Sequence, residues 1–141
     1  MVARPAGYSG TPLVRKLGVK GGHRLALIGA PGGWEIDGLP GSVRVTRGRA
    51  PSGNDVVVAF FSDLASLRKR VPRLAEAIVA DGALWIAWPR RAGGHQSDIT
   101  ENDIRAAVLP LGLVDVKVAA LDEDWSGLKV VWRRELRSER R

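Results

Sequence analysis

The sequence predicts an α/β domain: a mostly parallel sheet between helical layers, a three-layer sandwich, closed by a C-terminal antiparallel hairpin. Three observations carry this. Residues 55–61 (DVVVAFF) and 83–88 (ALWIAW) are short, nearly continuous apolar runs, as in strands covered on both faces. Between and after them lie two stretches with apolar residues three and four apart, the helical period. Two further apolar runs then flank a short polar turn, close enough to pair antiparallel. Because a strand returning in parallel needs a long connection, the strand–helix alternation implies right-handed crossovers and hence a Rossmann-like domain.

Taken in order, Thr11 caps a short helix with Pro12 at its first position, running through Leu13, Val14 and Leu17 to Gly18. Residues 23–30 (HRLALIGA) read as the first strand, stopped by Pro31, Gly32 and Gly33. Residues 43–47 alternate as a short second strand, and residues 51–54 turn the chain into the central run 55–61. Asp63 starts the longest helix, whose apolar face is Leu64, Leu67, Val71, Leu74, Ala75, Ile78 and Val79, with Pro72 as a point of kinking or splitting and Asp81-Gly82 as its end. After the strand 83–88 and a glycine-containing loop, Asp98 to Glu101 are spaced like a capping box for a helix carrying Ile104, Ala107, Val108 and Leu111, ended by Gly112. Residues 113–121 and 128–134 form the closing hairpin around a turn at 122–127.

The chain has 141 residues, 45% hydrophobic and 26% charged, which suits one domain, residues 1–141, burying about 70% of its unfolded surface. Residues 1–10 and 135–141 are expected to be flexible ends. With no cysteine, disulfides, thiolate catalysis and cysteine-ligated zinc are excluded. No apolar run approaches the roughly 20 residues of a membrane span and residues 1–10 carry no hydrophobic signal core, so a soluble cytoplasmic protein without membrane contact is expected. The net charge of +7 comes from 17 Arg and 5 Lys against 15 acids, a skew that reads as compositional bias as readily as polyanion binding.

The segment ADGALWIAWP (residues 80–89), a helix-ending glycine followed by a strand, resembles the second half of a class I methyltransferase domain, as does the terminal hairpin. GAPGGW (residues 29–34) is similar to the first methyltransferase motif, where glycines let the backbone approach a cofactor and a helix begins at once. Here the likeness breaks off. Only nine residues, 34–42, precede the next strand, and Gly38, Pro40 and Gly41 among them oppose a helix. Without that helix the loop lacks the N-terminus that backs a bound group. At the end of the second strand, where ribose-gripping folds place an acid, this chain has Thr46-Arg47-Gly48-Arg49. Over nearly its whole length, in the blocks GYSGTPLVRKLGVK, GHRLALIGAP, ALWIAWPR, DITENDIR and LPLGLVDVKVAALDEDWSGLKVVWRR, the chain also resembles a small family of uncharacterised proteins common in actinobacteria. That resemblance implies no activity.

Three functions follow as expectations. The first is a non-catalytic regulatory or protein-interaction module on a degenerate methyltransferase-like fold, with another protein as partner and no resident cofactor. The second is a small-ligand or nucleotide-binding protein or enzyme, taking SAM or NAD(P) at Gly29, Gly32, Gly33, Trp34, Ser62, Trp88, Arg90, Arg91, Asp122 and Trp125. Trp34, Trp88 and Trp125 fall near the carboxyl ends of the strands, where such sheets bind ligands; capping and stapling of the core rim is the favoured explanation for them. The third is nucleic-acid binding through Arg15, Lys16, Lys20, Arg47, Arg49, Arg137 and Arg140. A Ser-His-Asp set drawn from Ser9, Ser62 or Ser126 with His23 or His95 lacks a nucleophile-elbow motif, so no catalytic residue is assigned. Asp122, Glu123 and Asp124 read as turn acids rather than as a metal site.

Overall fold

A computed structural model describes residues 10–141, so the expectation for the first residues falls, Gly10 apart, outside the described residues. The elements are α1 (Leu13–Leu17), β1 (Arg24–Ile28), β2 (Arg44–Arg47), β3 (Asn54–Phe60), α2 (Leu64–Ala75), β4 (Ile78–Pro89), α3 (Glu101–Val108), β5 (Leu113–Ala120), β6 (Trp125–Trp132) and α4 (Arg134–Arg140). They build one six-stranded sheet in the order β2-β1-β3-β4-β6-β5. β2, β1, β3 and β4 pair in parallel, and β6 pairs antiparallel with both β4 and β5, as the sequence predicts. Strand order reverses between β1 and β3, which makes their carboxyl ends the crevice where open α/β sheets take ligands.

Alternation along the strands sends apolar side chains to two cores. On one face Val57, Leu84, Ile86, Leu128, Val130 and Trp132 meet Leu67 and Val71 of α2 and Ile104 and Val108 of α3. On the other, Leu25, Leu27, Val56, Val58 and Trp85 are covered by Leu17 of α1 and by Trp34 and Ile36. That second cover is thin. Residues 29–43 contain turns and no helix, so a parallel crossover is made by irregular chain alone. Trp85 and Trp88 fall on opposite faces, as a separation of three along a strand requires.

Several boundaries differ from the sequence reading. α2 stops at Ala75, and Ile78 and Val79, read as helical, open β4. The cause is Asn54, whose backbone N–H donates to the Ala77 carbonyl at 3.0 Å and whose side-chain amide donates to the same oxygen at 3.3 Å. An apolar run at 78–80 suits either period, and this tertiary contact decides it. Asp81-Gly82 thus lies within β4, in the bulge where the β3–β4 register shifts between the Asn54–Ile78 and Val56–Ala83 pairs, and a Cβ on Gly82 would lie 2.9 Å from the Asp55 carbonyl oxygen. Pro72 sits inside α2 without splitting it.

The capping box is Thr100 with Asp103, while Asp98 accepts the Leu64 N–H at 2.9 Å and ties the start of α2 to this loop. β6 begins at Trp125, shortening the hairpin turn. Of residues 135–141, expected to be a flexible end, all but Arg141 lie in α4. Arg140 stacks over the Trp132 ring at 3.3 Å and pairs with Glu76 at 2.8 Å, and Arg141 pairs with Asp81 at 3.0 Å.

Gly29 ends β1 at φ +69°, and a Cβ there would stand 2.9 Å from the Phe60 carbonyl oxygen. Gly32, three residues later in the same loop, has open space around it. Gly29→Ala therefore costs more than about 1 kcal/mol through backbone strain and overlap, whereas Gly32→Ala is near neutral. Urea melts of the two variants check this; equal stabilities would contradict the requirement for glycine at 29.

Candidate functional site

The crevice at the strand reversal is filled from within the chain. Gly29 turns the backbone away from β1, Pro31 to Trp34 close a turn with the Trp34 N–H donating to the Pro31 carbonyl at 3.0 Å, and the indole folds back under the loop. It is buried. Its ring meets Phe60, the last residue of β3, edge to face at 4.8 Å, and Phe60 meets Trp125 in the same way at 5.0 Å. A buried indole N–H needs an acceptor, and Trp34 Nε1 donates to Asp122 Oδ2 at 2.9 Å. The other carboxylate oxygen of Asp122 accepts the backbone N–H groups of Asp124 and Trp125, at 2.7 and 2.8 Å. One carboxylate thus shapes the β5–β6 turn and holds the indole. Arg47, at the end of β2, donates from Nη1 to the Trp34 carbonyl at 3.1 Å.

Of the ligand residues read from sequence, Gly29, Trp34, Asp122 and Trp125 come together here, with Gly32 and Gly33 exposed in the adjoining turn. The others do not join them. Trp88 belongs to the opposite core, and with Arg90, Arg91, Arg105 and Ser126 it lines an open cleft of about 600 Å³ beside the start of α3. Ser62 is exposed, its carbonyl 3.5 Å from the Ser97 hydroxyl. Arg90 is buried as a brace: its backbone N–H donates to the Asp124 carbonyl at 2.8 Å and its guanidinium lies 3.5 Å from that of Glu123. His95 Nε2 and Asp124 Oδ1 are 2.7 Å apart, fastening the loop after β4 to the same turn. Ser9 lies outside the described residues, and among the described residues no serine hydroxyl is hydrogen-bonded to either histidine. Nor do three acidic or histidine side chains gather as metal ligands among them.

The expected nucleic-acid contacts are dispersed. Lys16 is buried, with Nζ donating to the Ala120 carbonyl at 2.7 Å; Arg47 is engaged with Trp34; Arg137 donates to the Trp132 carbonyl at 3.0 Å and Arg140 is held by Glu76. Arg15, Lys20 and Arg49 are exposed on separate segments. Sequence reasoning passed over two features. One is Phe60, read only as a strand residue, though its place at the end of a central strand aims it at the crevice. The other is α2, which carries Arg68, Lys69, Arg70 and Arg73 exposed, with no acid in the helix and no ion pair or hydrogen bond to any of the four among the described residues.

No family model matches the chain, and no curated protein is similar to it in sequence. Solved structures are similar to it in shape. A SAM-dependent methyltransferase from Aquifex aeolicus superposes with a TM-score of 0.59 at 13% identity, over 84% of this chain and 86% of that one. A TehB-like SAM-dependent methyltransferase from Corynebacterium glutamicum gives 0.55 at 13% identity, over 86% and 85%. The fold is methyltransferase-like. The pyocyanin biosynthetic protein PhzM gives 0.58 at 12% identity over 85% of this chain, which spans about half of it, 53%. Identities this low speak for the fold alone. Among the described residues no helix is long and apolar enough to cross a membrane.

The wall of the open cleft also carries an ion-pair network. Arg105 donates from Nε to Asp115 at 2.9 Å and from Nη2 to Glu101 at 3.1 Å. The hydrogen bond from Arg105 holds the Asp115 carboxyl below the ordinary carboxylate value. A carboxylate lowered by folding stabilises the protein above its unfolded pKa and loses that contribution as pH falls through its folded value. Asp115→Asn should therefore flatten the fall in Tm between pH 5 and about pH 3 relative to the unsubstituted protein. Parallel Tm curves would show that this pair contributes nothing.

Proposed function

We propose that this protein is a non-catalytic interaction module built on a methyltransferase-like fold, in which the chain's own Trp34 stands where the fold's ligand crevice lies. The observation that carries this is the Trp34 indole, wedged against Phe60 at 4.8 Å and hydrogen-bonded to Asp122 at 2.9 Å at the point of strand reversal. In this arrangement the residues of the glycine turn do not fit an S-adenosyl group. No helix N-terminus follows the turn, no acid ends β2 to grip a ribose, and the Arg47 guanidinium there is turned to the Trp34 carbonyl. Opening the crevice means breaking the indole hydrogen bond and its edge-to-face contact with Phe60; truncating a buried aromatic of this size costs roughly 3–5 kcal/mol.

A protein partner has a surface to meet. β5 is the outermost strand, its outer backbone edge is unpaired, and Val116 and Val118 are 54% and 50% exposed. Such an edge is what an added strand pairs with. SAM binding is the runner-up, supported by the fold's likeness to SAM-dependent methyltransferases. Isothermal titration with S-adenosylhomocysteine, paired with thermal melts, separates the two. A cofactor-free module gives no heat and no Tm shift at millimolar ligand. Saturable binding with a rise in Tm would overturn the proposal in favour of a ligand-binding protein.

A second reading, polyanion binding, is favoured by α2. Lys69 and Arg73 lie on the helix face opposite buried Leu67, Val71 and Leu74, Arg70 flanks that buried stripe, and among the described residues none of the three is neutralised. The reading predicts salt-dependent affinity for an oligonucleotide duplex, and the K69Q/R70Q/R73Q variant should reduce the slope of log K against log salt by about 2–3. An unchanged slope would remove α2 from consideration.

A further inference from the structure

The cover over the second face of the sheet stops before its outer strands. Lys129 of β6 is the register partner of Trp85, which belongs to that face, and directly opposite Lys129 on β5 stands Lys117. Cross-strand partners share a face, so two like charges sit side by side, an arrangement that is destabilising in itself. Lys20, just after α1, lines the same cleft as Lys129, a cavity of about 260 Å³ with His23, Asp55 and Asp81 on its walls. Three of the chain's five lysines thus converge in a sequence with 17 arginines. A lysine offers a compact point charge on a flexible stem, where an arginine would present a broad fork.

Among the described residues no carboxylate pairs with them. Among the described residues the ammonium groups of Lys20, Lys117 and Lys129 make no hydrogen bond or ion pair. Of the two acids of the cleft, Asp81 pairs with Arg141 at 3.0 Å, while Asp55 accepts the Arg24 backbone N–H at 2.8 Å, which holds its carboxylate away without cancelling the charge. Lys129 is half-buried, and burial, reinforced by Lys117 and Lys20, pushes its pKa below the ordinary lysine value. A positive cluster that is partly desolvated and unpartnered is an electrostatic cost, and a bound anion would offset it.

We propose that Lys20, Lys117 and Lys129 form a binding site for a phosphate-class dianion, free or carried as a phosphomonoester. The site sits at the amino-terminal ends of β3 and β4, lined by Asp55, Val56 and Gly82, at the opposite end of the sheet from Trp34. It is therefore independent of whether the glycine turn holds a ligand.

Thermal melts in inorganic phosphate and in sodium chloride of matched ionic strength test it, with O-phosphoserine as a second arm. Phosphate should raise Tm saturably, by about 4 °C at ten times its dissociation constant, beyond any effect of chloride. K129Q should abolish that rise while melting in chloride no lower than the unsubstituted protein, because it removes a repelled, half-buried charge; R134Q, at the exposed start of α4, should keep the rise. A larger shift with O-phosphoserine assigns the site to a monoester, and a larger shift with inorganic phosphate to the free anion. Equal melting in phosphate and chloride, or a phosphate shift retained in the K117Q/K129Q double variant, would overturn the proposal.

Discussion

Where strand order reverses, the ends of β1 and β3 diverge and leave a crevice, and the hydrogen bond between Trp34 and Asp122 determines what occupies it. The indole is large and apolar with one polar edge, and burying that edge without an acceptor costs free energy. Asp122 supplies it from a turn 88 positions along the chain. Because the same carboxylate accepts two backbone N–H groups of that turn, the hairpin geometry that brings Trp125 onto Phe60 and the seating of Trp34 stand or fall together. Gly29 is the other half of the constraint, since its positive φ and its approach to Phe60 let the loop leave the strand closely enough for the ring to return beneath it.

That closure explains how a sheet with one richly covered face keeps its other face dry. α2 and α3 cover one side by ordinary helical amphipathicity, and α4, with Leu136 packed against that core, is fixed there by Arg140 on Trp132 and Glu76. The other side has a helix of five residues and a run of turns. Large side chains, Trp34, Phe60 and Trp85, do there what a crossover helix would do elsewhere, and Trp85 Nε1 reaches the Leu17 carbonyl at 3.2 Å to bind α1 to the sheet. Cover ends where these side chains end, which is why the lysines of β5 and β6 on that face remain partly in solvent.

Much of the fold was legible in the sequence because it rests on periodicity: continuous apolar runs gave β3 and the core of β4, three-and-four spacing gave α2 and α3, and the polar turn gave the hairpin. The brevity of the connection after Gly29, with Gly38, Pro40 and Gly41 in it, was enough to deny it a helix. Local pattern failed where a distant partner decided, as at Ile78 and Val79, recruited to β4 by Asn54, and at residues 134–140, ordered by Glu76, Asp81 and the Trp132 ring. The site was half legible. Gly29, Trp34, Asp122 and Trp125 were picked out as one group, but Trp88 and Arg90 were grouped with them, although strand alternation sends Trp88 to the opposite core and Arg90 lines the open cleft beside it while bracing the Asp122 turn from outside. That Asp122 serves the indole is a matter of tertiary distance, which no spacing encodes.

The seating of Trp34 is tested most directly by the indole N–H resonances of the five tryptophans in a nitrogen–proton correlation spectrum. The structure predicts that the Trp34 signal, assigned through its loss in Trp34→Phe, exchanges slowly with solvent, shows proximity to the Phe60 ring, and is displaced by Asp122→Asn. A Trp34 indole proton that exchanges as fast as that of an exposed side chain and ignores the change at Asp122 would contradict it.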